Sequence, residues 1–258
     1  MAMSSTPGAA CTAVVLAGGF GSRIRHLLGS LPKPLAPVCG KPFLHWVVEY
    51  LQRQGAARIV LLTHYEARQV DCFAASVTRP GLIVESLREE QHQGTGGAAI
   101  EAIRALPDLA ETFVLLNGDS LVIADLAPAF QQVARGSAGA ILGVRVPDAS
   151  LFGTLEVDGA GHLLRFSEKR PGRGTVNAGV YVLRKAALRL YDSGTRPLSI
   201  ETGVFPAMLA AGEDIRVVET DAPFIDIGTE ATLSLAENFV ATHLAAYPRP
   251  PQRLGPGP

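Results

Sequence analysis

The stretch Ala13-Val-Val-Leu-Ala-Gly-Gly-Phe-Gly-Ser-Arg23 decides the fold of this chain. Its first half is a short apolar run, which is typical of a buried parallel strand. Three glycines within four residues, Gly18, Gly19 and Gly21, follow that strand directly. Glycine lets the backbone approach a ligand closely with its amides turned inward. The pattern therefore indicates an anion-binding loop at the carboxyl end of the strand.

Two well-known phosphate loops do not fit this pattern. The dinucleotide-binding fingerprint needs a third glycine where Ile24 stands, which disfavours a dinucleotide-dependent oxidoreductase, and no Gly-Lys-Ser/Thr of a Walker loop follows. Arg23 adds a positive charge, and Lys33 supplies a second one between Pro32 and Pro34. An ordinary glycine-rich turn with a solvated arginine is the alternative, and the second cation weakens it.

Strand and helix patterns alternate through the first half of the chain. The predicted strands are residues 13–17, 58–63, 81–85 and 112–116, and the predicted helices are residues 42–54, 98–106 and one capped by Asp125 with Pro128 in its first turn. Such alternation predicts an α/β fold with a mostly parallel sheet covered on both faces. Ligands of such sheets bind beyond the carboxyl ends of the strands.

The second half of the chain is richer in strand patterns. Asp158-Gly159 predicts a hairpin turn. The remaining predicted elements are short helices near 185–191 and 201–211, strands at 215–218 and 224–227, and a closing helix at 230–243. Without a repeat or linker, residues 9–245 are expected to form a single domain with halves at 12–135 and 136–245. Residues 1–8 and 246–258 are expected to be flexible tails.

The composition excludes several classes of protein. Of the 258 residues, 47% are hydrophobic and 18% are charged, which is enough to bury a large core. A net charge of −1 gives no overall attraction to nucleic acid. No run approaches the roughly 20 apolar residues of a membrane helix. Three cysteines without a Cys-x-x-Cys pair indicate a reducing compartment, so a cytoplasmic protein is expected.

Two aspartates stand out as candidate ligands of a hard cation. Asp119 ends a predicted strand, and Asp226 lies among apolar residues of another, where an unpaired acid is costly. Mg²⁺ usually binds one or two carboxylates together with phosphate oxygens. Two alternatives remain open: Asp119 could belong to a turn-forming Asn-Gly-Asp, and Asp226 could be a hydrogen-bonded structural acid.

The sequence resembles a known family at this point. Leu16-Ala-Gly-Gly-Phe-Gly-Ser-Arg23 followed by Pro32-Lys-Pro-Leu35 is similar to the signature of the sugar-phosphate nucleotidyltransferases, which make nucleotide sugars. Ser22 and Ile24 stand where Thr and Leu are commoner. The resemblance implies a Rossmann-like nucleotidyltransferase fold of the GT-A type, with a mixed sheet flanked by helices and a β-rich half that binds the sugar.

The resemblance also implies roles for individual residues. Arg23 would contact the leaving pyrophosphate, Lys33 the α-phosphate, and Asp119 and Asp226 would share Mg²⁺ during in-line attack by the sugar phosphate. The segment 94–97 would pack on the nucleobase, and Glu89 or Glu90 would suit guanine unless it is a solvated loop acid. The predicted nucleotide-binding residues are Leu16, Ala17, Gly18, Gly19, Gly21, Ser22, Glu89, Gly94, Thr95 and Asn117. His92 is interpreted as an exposed loop residue.

Three further segments resemble the family's sugar site. Phe152-Gly153-Thr154 is similar to the step on which the hexose lies, and Asn177-Ala-Gly-Val-Tyr181 to a strand whose Asn faces the sugar. Glu168-Lys169 resembles a pair that binds ring hydroxyls and the sugar phosphate, although Arg170 follows where Pro is common. Gly153, Glu168, Lys169 and Asn177 are therefore the predicted sugar-binding residues, and Lys169 is also predicted to be catalytic.

Within the family the details look most similar to the D-glycero-α-D-manno-heptose 1-phosphate guanylyltransferases, which supply GDP-heptose for capsule or surface polysaccharide. The expected substrates are GTP and a sugar 1-phosphate, and a homodimer is left open. Mannose-1-phosphate guanylyltransferase and a uridylyl- or thymidylyltransferase are the alternatives. A non-catalytic regulatory subunit that senses nucleotide sugar is disfavoured, because all five predicted catalytic residues are present.

Overall fold

The apolar run at residues 11–16 forms the central strand of a nine-stranded sheet in a computed structural model, which describes residues 11–19, 21–150, 152–167 and 171–247. Alternate side chains of this strand enter opposite faces of the sheet. Ala13 and Val15 belong to the apolar core on one face, and Val14 belongs to the core on the other face. The strand is buried on both sides, as its sequence predicts.

The elements follow one another with short connections. In chain order the strands are β1 Cys11–Leu16, β2 Pro37–Val38, β3 Lys41–Pro42, β4 Ala56–Thr63, β5 Ile83–Arg88, β6 Thr112–Asn117, β7 Ser120–Val122, β8 Gly139–Val146, β9 Thr154–Val157, β10 Leu163–Ser167, β11 Gly174–Arg184, β12 Ile215–Thr220 and β13 Phe224–Asp226. The α-helices are α1 Arg25–Leu28, α2 Phe43–Arg53, α3 Ala67–Val77, α4 Gly94–Ala105, α5 Ala127–Ala134, α6 Lys185–Leu188, α7 Phe205–Ala210 and α8 Glu230–Phe239. Short 3₁₀ turns span Lys33–Leu35 and Arg189–Tyr191, and π-helical segments span Ile200–Val204 and Val240–Leu244. None of these helices has the length and apolarity to cross a bilayer.

The sheet divides into a parallel part and a mixed part. Strands β5, β4, β1 and β6 lie side by side in parallel. β11 pairs antiparallel with β6 and with β8, β12 runs parallel to β8, and the β9–β10 hairpin joins β11 at Val176. The α/β class with a mixed sheet flanked by helices is therefore confirmed, as are the hairpin and the greater strand content of the second half.

Strand register brings the functional segments to one edge of the sheet. Leu16 lies opposite Asn117 of β6 and Leu62 of β4, so the carboxyl ends of the three strands align. The small β7–β13 sheet then places Asp226 opposite Ser120, directly after Asp119. Residues that are about 100 positions apart in the sequence therefore meet beyond the end of β1.

Helix α3 was absent from the sequence prediction. Val70, Phe73, Ala74 and Val77 have the helical spacing of an apolar face, and all four are buried. The charged and polar residues between them make this face discontinuous in the sequence. The helix is visible in the periodicity once the four positions are read together.

Several helices and strands begin or end at residues other than the predicted ones. Helix α4 begins at Gly94 rather than at residue 98, because the N–H groups of Gly96 and Gly97 bond to the carbonyl of Leu198 at 2.9 and 3.1 Å. Strand β5 begins two residues later than predicted and continues to Arg88. Asp125 accepts a bond from the N–H of Ala127 at 2.9 Å, one residue before the true N-cap of α5. These differences follow from backbone partners that lie far away in the sequence.

Candidate active site

A cleft of about 200 Å³ opens at the carboxyl ends of β1 and β6. Its lining residues are Leu16, Gly19, Gly21, Ser22, Arg23, Lys33, Pro34, Asp119 and Gly228. Sequence reasoning had singled out all of these residues except Pro34 and Gly228. The glycine loop, both cations and one of the two aspartates therefore converge on one space.

Close backbone approach explains two glycines at this cleft. Gly21 has a φ of +58°, and a Cβ added there would lie 2.9 Å from Cβ of Lys33. A Cβ on Gly118 would lie 2.9 Å from the carbonyl oxygen of Leu16. Larger residues would push the loop away from Lys33 or separate the ends of β1 and β6, so both positions need glycine.

The other loop residues are anchored differently. Ala17 is buried and donates its N–H to the carbonyl of Leu62 at 2.8 Å, while Gly18 packs against His64. Arg23 is exposed at the rim of the cleft. The loop thus presents Gly19 and Ser22 to the cleft while its first residues stay fixed to the sheet.

Lys33 lies at the centre of the charged part of the cleft. It begins the 3₁₀ turn between two prolines, and its side chain is only 11% exposed. The ammonium Nζ lies 2.6 Å from Oδ2 of Asp119 and 3.7 Å from Oδ1 of Asp226. One buried cation therefore lies between two carboxylates and offsets part of their negative charge.

Ser120 joins the same two acids from the other side. Its hydroxyl lies 3.3 Å from Oδ1 of Asp119 and 3.2 Å from Oδ2 of Asp226. The N–H of Gly228 donates to Asp226 at 2.6 Å. Burial and the neighbouring charge of Asp119 raise the pKa of Asp226 above its ordinary value. The two carboxylates are close enough to interact, and hydrogen bonds fix their orientation.

The donor set suits a magnesium ion. Both acids offer hard oxygen ligands, Asp119 in the lining of the cleft and Asp226 beside it, and Lys33 already places a cation between them. No group of three or more metal-ligating side chains occurs among the described residues. Mg²⁺ does not need one, because it usually completes its six ligands with water and substrate phosphates.

Glu89 follows β5 next to the glycine loop. It is only 8% exposed, whereas Glu90 is exposed. Its Oε1 has no hydrogen-bond partner within the described chain, and its Oε2 would lie 3.1 Å from a Cβ on Gly18. Burial raises the pKa of the Glu89 carboxyl to about 7. Glu89 is therefore a buried, incompletely bonded acceptor rather than a solvated loop acid.

The start of α4 packs against the second half of the chain. Gly94 has a φ of +76°, and its surroundings leave no room for a Cβ, because the backbone of Leu198 would lie within 2.8 Å. The hydroxyl of Thr95 accepts from the N–H of Ile200 at 2.9 Å and donates to Glu201 at 3.2 Å. Gly94 and Thr95, which are predicted to bind the nucleotide, are thus held in place by residues 198–201.

The predicted sugar residues are described only in part. Asn177 donates to the Tyr181 hydroxyl at 2.8 Å and accepts from the N–H of Gly179 at 2.9 Å. Gly153 accepts a backbone bond from Asn177, and Asn117 lies against Gly179. The predicted Glu168 and Lys169, with Arg170, lie outside the described residues.

Sequence reasoning missed three residues of this region. Ser120 bridges the two acids, Gly228 donates to Asp226, and Glu201 accepts from Thr95. The Ser directly after Gly-Asp and the Gly two residues after Asp226 were visible as neighbours of predicted ligands. Nothing near Glu201 in the sequence points to the cleft.

Comparison with known proteins identifies the family. The Nucleotidyl transferase family matches residues 12–243, which is most of the chain. The chain belongs to the nucleotidyl transferase family. The resemblance seen in the sequence is therefore confirmed, and the chain has the fold and class of a nucleotidyl-transferring enzyme.

Two relatives of this nucleotidyl transferase share most of their length with it. The D-glycero-α-D-manno-heptose 1-phosphate guanylyltransferase of Aneurinibacillus thermoaerophilus is 31% identical over 218 residues, which cover 84% of this chain and 92% of that protein. The crystal structure of HddC from Yersinia pseudotuberculosis complexed with GMP-PN superposes with a TM-score of 0.78 at 32% identity and covers 88% of this chain and 98% of that one.

A third relative has a different named sugar. The mannose-1-phosphate guanylyltransferase of Mycobacterium tuberculosis is 35% identical over 204 residues, which cover 78% of this chain. The match spans 56% of that longer protein, a little over half its length. The nucleotidyl transferase described here thus resembles proteins named for two different sugar phosphates.

Proposed function

We propose that this nucleotidyl transferase moves GMP from GTP to a sugar 1-phosphate and releases pyrophosphate. The first candidate acceptor is D-glycero-α-D-manno-heptose 1-phosphate, which would give GDP-heptose. The observation that carries the proposal is the buried carboxylate of Glu89, which has an unpartnered oxygen beside the phosphate loop. The proposal includes a cytoplasmic location and a supply of GDP-heptose for surface polysaccharide.

The chemistry of Glu89 favours guanine over the other bases. Guanine has two adjacent donors on its pairing edge, N1–H and N2–H₂, and a carboxylate can accept both. Uracil and thymine have only N3–H between two carbonyl acceptors, which would face the second oxygen of Glu89. Because an unpaired buried acceptor costs free energy, filling Oε1 with a donor of the ligand contributes to binding.

The glycine loop and two cations are suited to the triphosphate. Backbone amides around Gly19 and Gly21 would bind phosphate oxygens, and Arg23 at the rim would contact the departing pyrophosphate. Lys33, already inside the cleft, would stabilise negative charge on the α-phosphate. This arrangement would stabilise charge as it develops, which is the main contribution an enzyme makes to phosphoryl-type transfer.

Asp119 and Asp226 would hold Mg²⁺, with Ser120 and the N–H of Gly228 fixing their orientation. The bound ion would neutralise charge on the phosphate oxygens of the nucleotide. Lys33 lies against both carboxylates, and its ammonium would contact the α-phosphate.

The transfer itself needs no covalent intermediate with the protein. A phosphate oxygen of the sugar 1-phosphate forms a bond to the α-phosphorus of GTP, while the bond from that phosphorus to the bridging oxygen breaks and pyrophosphate leaves with the electron pair. Asn177 and Gly153 would orient the sugar, and Glu168 and Lys169 would bind its hydroxyls and phosphate. The role of these residues is to hold the attacking oxygen in line.

Mannose 1-phosphate is the second candidate acceptor. The observation in its favour is the 35% identity to the M. tuberculosis mannose-1-phosphate guanylyltransferase. Heptose is preferred because the heptose relative is covered over 92% of its length, against 56% for the mannose relative. The near-complete coverage of the heptose relative supports this order of preference.

The test is a matrix of activities. Pyrophosphate release is measured with GTP, ATP, CTP, UTP and dTTP against D-glycero-α-D-manno-heptose 1-phosphate, mannose 1-phosphate and glucose 1-phosphate, with and without Mg²⁺. The expected result is Mg²⁺-dependent turnover with GTP and the heptose phosphate. Turnover with UTP but not GTP would refute the guanine assignment, and no turnover with any pair would refute the proposed function.

A further inference from the structure

Glu201 lies outside the lining of the cleft. It connects Thr95, which is predicted to bind the nucleotide, with Asn177, which is predicted to bind the sugar. It follows Ser199, the N-cap of the π-helical segment Ile200–Val204, whose hydroxyl accepts from the N–H of Thr202 at 3.1 Å. The position of the Glu201 backbone is therefore fixed. Its side chain is partly buried and turns towards helix α4 and strand β11.

Each oxygen of the Glu201 carboxylate has a different neighbour. Oε2 accepts from the hydroxyls of Thr95 at 3.2 Å and Ser199 at 2.9 Å. Oε1 accepts from the hydroxyl of Tyr181 at 3.0 Å. One carboxylate thus joins a residue predicted to bind the nucleotide to the strand predicted to bind the sugar.

Tyr181 passes this connection on to Asn177. Burial raises the pKa of Tyr181 well above its ordinary value, so its hydroxyl keeps the proton that it donates to Glu201. The same hydroxyl accepts from Nδ2 of Asn177 at 2.8 Å, and Oδ1 of Asn177 accepts from the N–H of Gly179. These two bonds fix which end of the Asn177 amide is the donor and which is the acceptor.

On the other side, Thr95 cannot move independently of Glu201. Its hydroxyl accepts from the N–H of Ile200 while donating to Glu201, so it is held by two bonds to the same short segment. The neighbouring Gly96 and Gly97 bond to the carbonyl of Leu198. The first turn of α4 is therefore attached to residues 198–201 by both side-chain and backbone bonds.

We infer that Glu201 is a positioning residue for both substrates, which orients the start of α4 for the nucleotide and Asn177 for the sugar phosphate. The inference rests on the proposed function, because it takes Thr95 and Asn177 as parts of the two substrate sites. Glu201 itself needs no contact with either substrate. Glu201 acts on the nucleotide side through the hydroxyl of Thr95 and on the sugar side through the hydroxyl of Tyr181.

The test breaks each link separately with nearly isosteric variants. Thr95→Val removes the link on the nucleotide side, Tyr181→Phe removes the link on the sugar side, and Glu201→Gln weakens both. The KM for GTP and the KM for D-glycero-α-D-manno-heptose 1-phosphate are measured for each variant. Losing a buried hydrogen bond is expected to raise the affected KM about tenfold.

Each single-link variant is expected to change the KM of only one substrate. Thr95→Val raises the KM for GTP alone, Tyr181→Phe raises the KM for the sugar phosphate alone, and Glu201→Gln raises both. Thr95→Ser, which keeps the hydroxyl, restores the GTP value. The matched control is Tyr191→Phe, which removes a Tyr–Glu hydrogen bond of the same 3.0 Å length, to Glu213, and leaves both KM values unchanged.

A role in stability alone gives a different result. If the three variants lower the melting temperature but leave both KM values at the wild-type level, the inference is overturned and the proposed function is unaffected. The inference is also overturned, and the proposed function is again unaffected, if Tyr181→Phe raises only the KM for GTP. If Glu201→Gln does not fold, the two single-link variants still decide the question. A wild-type protein without any turnover of GTP overturns the proposed function, and this inference with it.

Discussion

The proposed nucleotide site has a phosphate end, at Asp119 and Asp226, and a base end, at Glu89, and the two ends differ in how their carboxylates are paired. At the phosphate end, Asp119 and Asp226 share the ammonium of Lys33 and the hydroxyl of Ser120. At the base end, Glu89 is more deeply buried, yet one of its oxygens has no hydrogen-bond partner within the described chain. The first site offsets part of its negative charge with a cation of the chain, whereas the described residues pair no cation with the second.

This difference fits the two tasks proposed for these residues. A metal and phosphate site must exchange one cation for another, so a preformed balance of charge keeps the fold stable in both states. A site that discriminates between bases is more selective when its acceptor is unsatisfied without the correct donor, because a wrong base leaves the unpaired group buried. Four expected results test this comparison, and they are given in order of decreasing effect.

The largest effect is expected at the phosphate end from Asp119→Ala. Removing this ligand should weaken Mg²⁺ binding and lower kcat roughly 10³-fold, which is within the range for loss of a major electrostatic contact. The measurement is pyrophosphate release as a function of Mg²⁺ concentration. An unaltered metal dependence in the variant would show that Asp119 is not a ligand.

Lys33→Ala should lower kcat by roughly 10²-fold, because it removes the cation assigned to the α-phosphate. The KM for GTP should change less than kcat if the contact forms mainly in the transition state. Steady-state kinetics measure both constants, and circular dichroism checks that the fold is retained. Kinetics equal to those of the wild type would contradict the role given to Lys33.

At the base end, Glu89→Gln should stabilise the protein at high pH. Burial raises the folded-state pKa from 4.5 to about 7, so the folded state loses stability as the pH rises from 4.5 to 7 and stays at a constant deficit above 7. The neutral variant avoids this loss, and its advantage should reach at most about 3 kcal/mol at pH 8 and shrink towards pH 5.

Denaturant unfolding of both proteins at pH 5, 6, 7 and 8 measures this advantage. Glu90→Gln is the matched control, since this neighbouring side chain is exposed and its substitution should have little effect at any of these pH values. A pH-independent difference between the wild type and Glu89→Gln would mean that Glu89 is not the buried acid described here.

The same variant should lose base selectivity. A glutamine offers one acceptor where guanine needs two, so kcat/KM for GTP should fall about 30-fold while that for UTP changes little. In the wild type, the KM for GTP should also rise as the pH falls below 7, because protonated Glu89 loses acceptor capacity. Competition assays with GTP and UTP from pH 6 to 8 test both points.

The limits of sequence reasoning are visible at particular residues. The glycine loop, Lys33 and Asp119 could be found from the sequence, because each belongs to a short motif whose chemistry is local. Glu201 could not be found, because its partner Thr95 lies 106 residues away. Ser120 was visible only as a neighbour of Asp119, because its second partner, Asp226, also lies 106 residues away. Helix α3 could have been found from the spacing of its apolar residues, but the start of α4 could not, since it depends on the carbonyl of Leu198.

The sequence by itself determined the alternation of strands and helices, the glycine loop after β1 and the identity of the acids and cations. Those features depend on hydrophobic periodicity and on backbone freedom within a few residues. Only the tertiary structure decided that Asp226 faces Asp119 through the β7–β13 pairing and that Glu89, rather than Glu90, is buried. The reason is physical: burial and charge balance are set by neighbours in space, and strand register selects those neighbours.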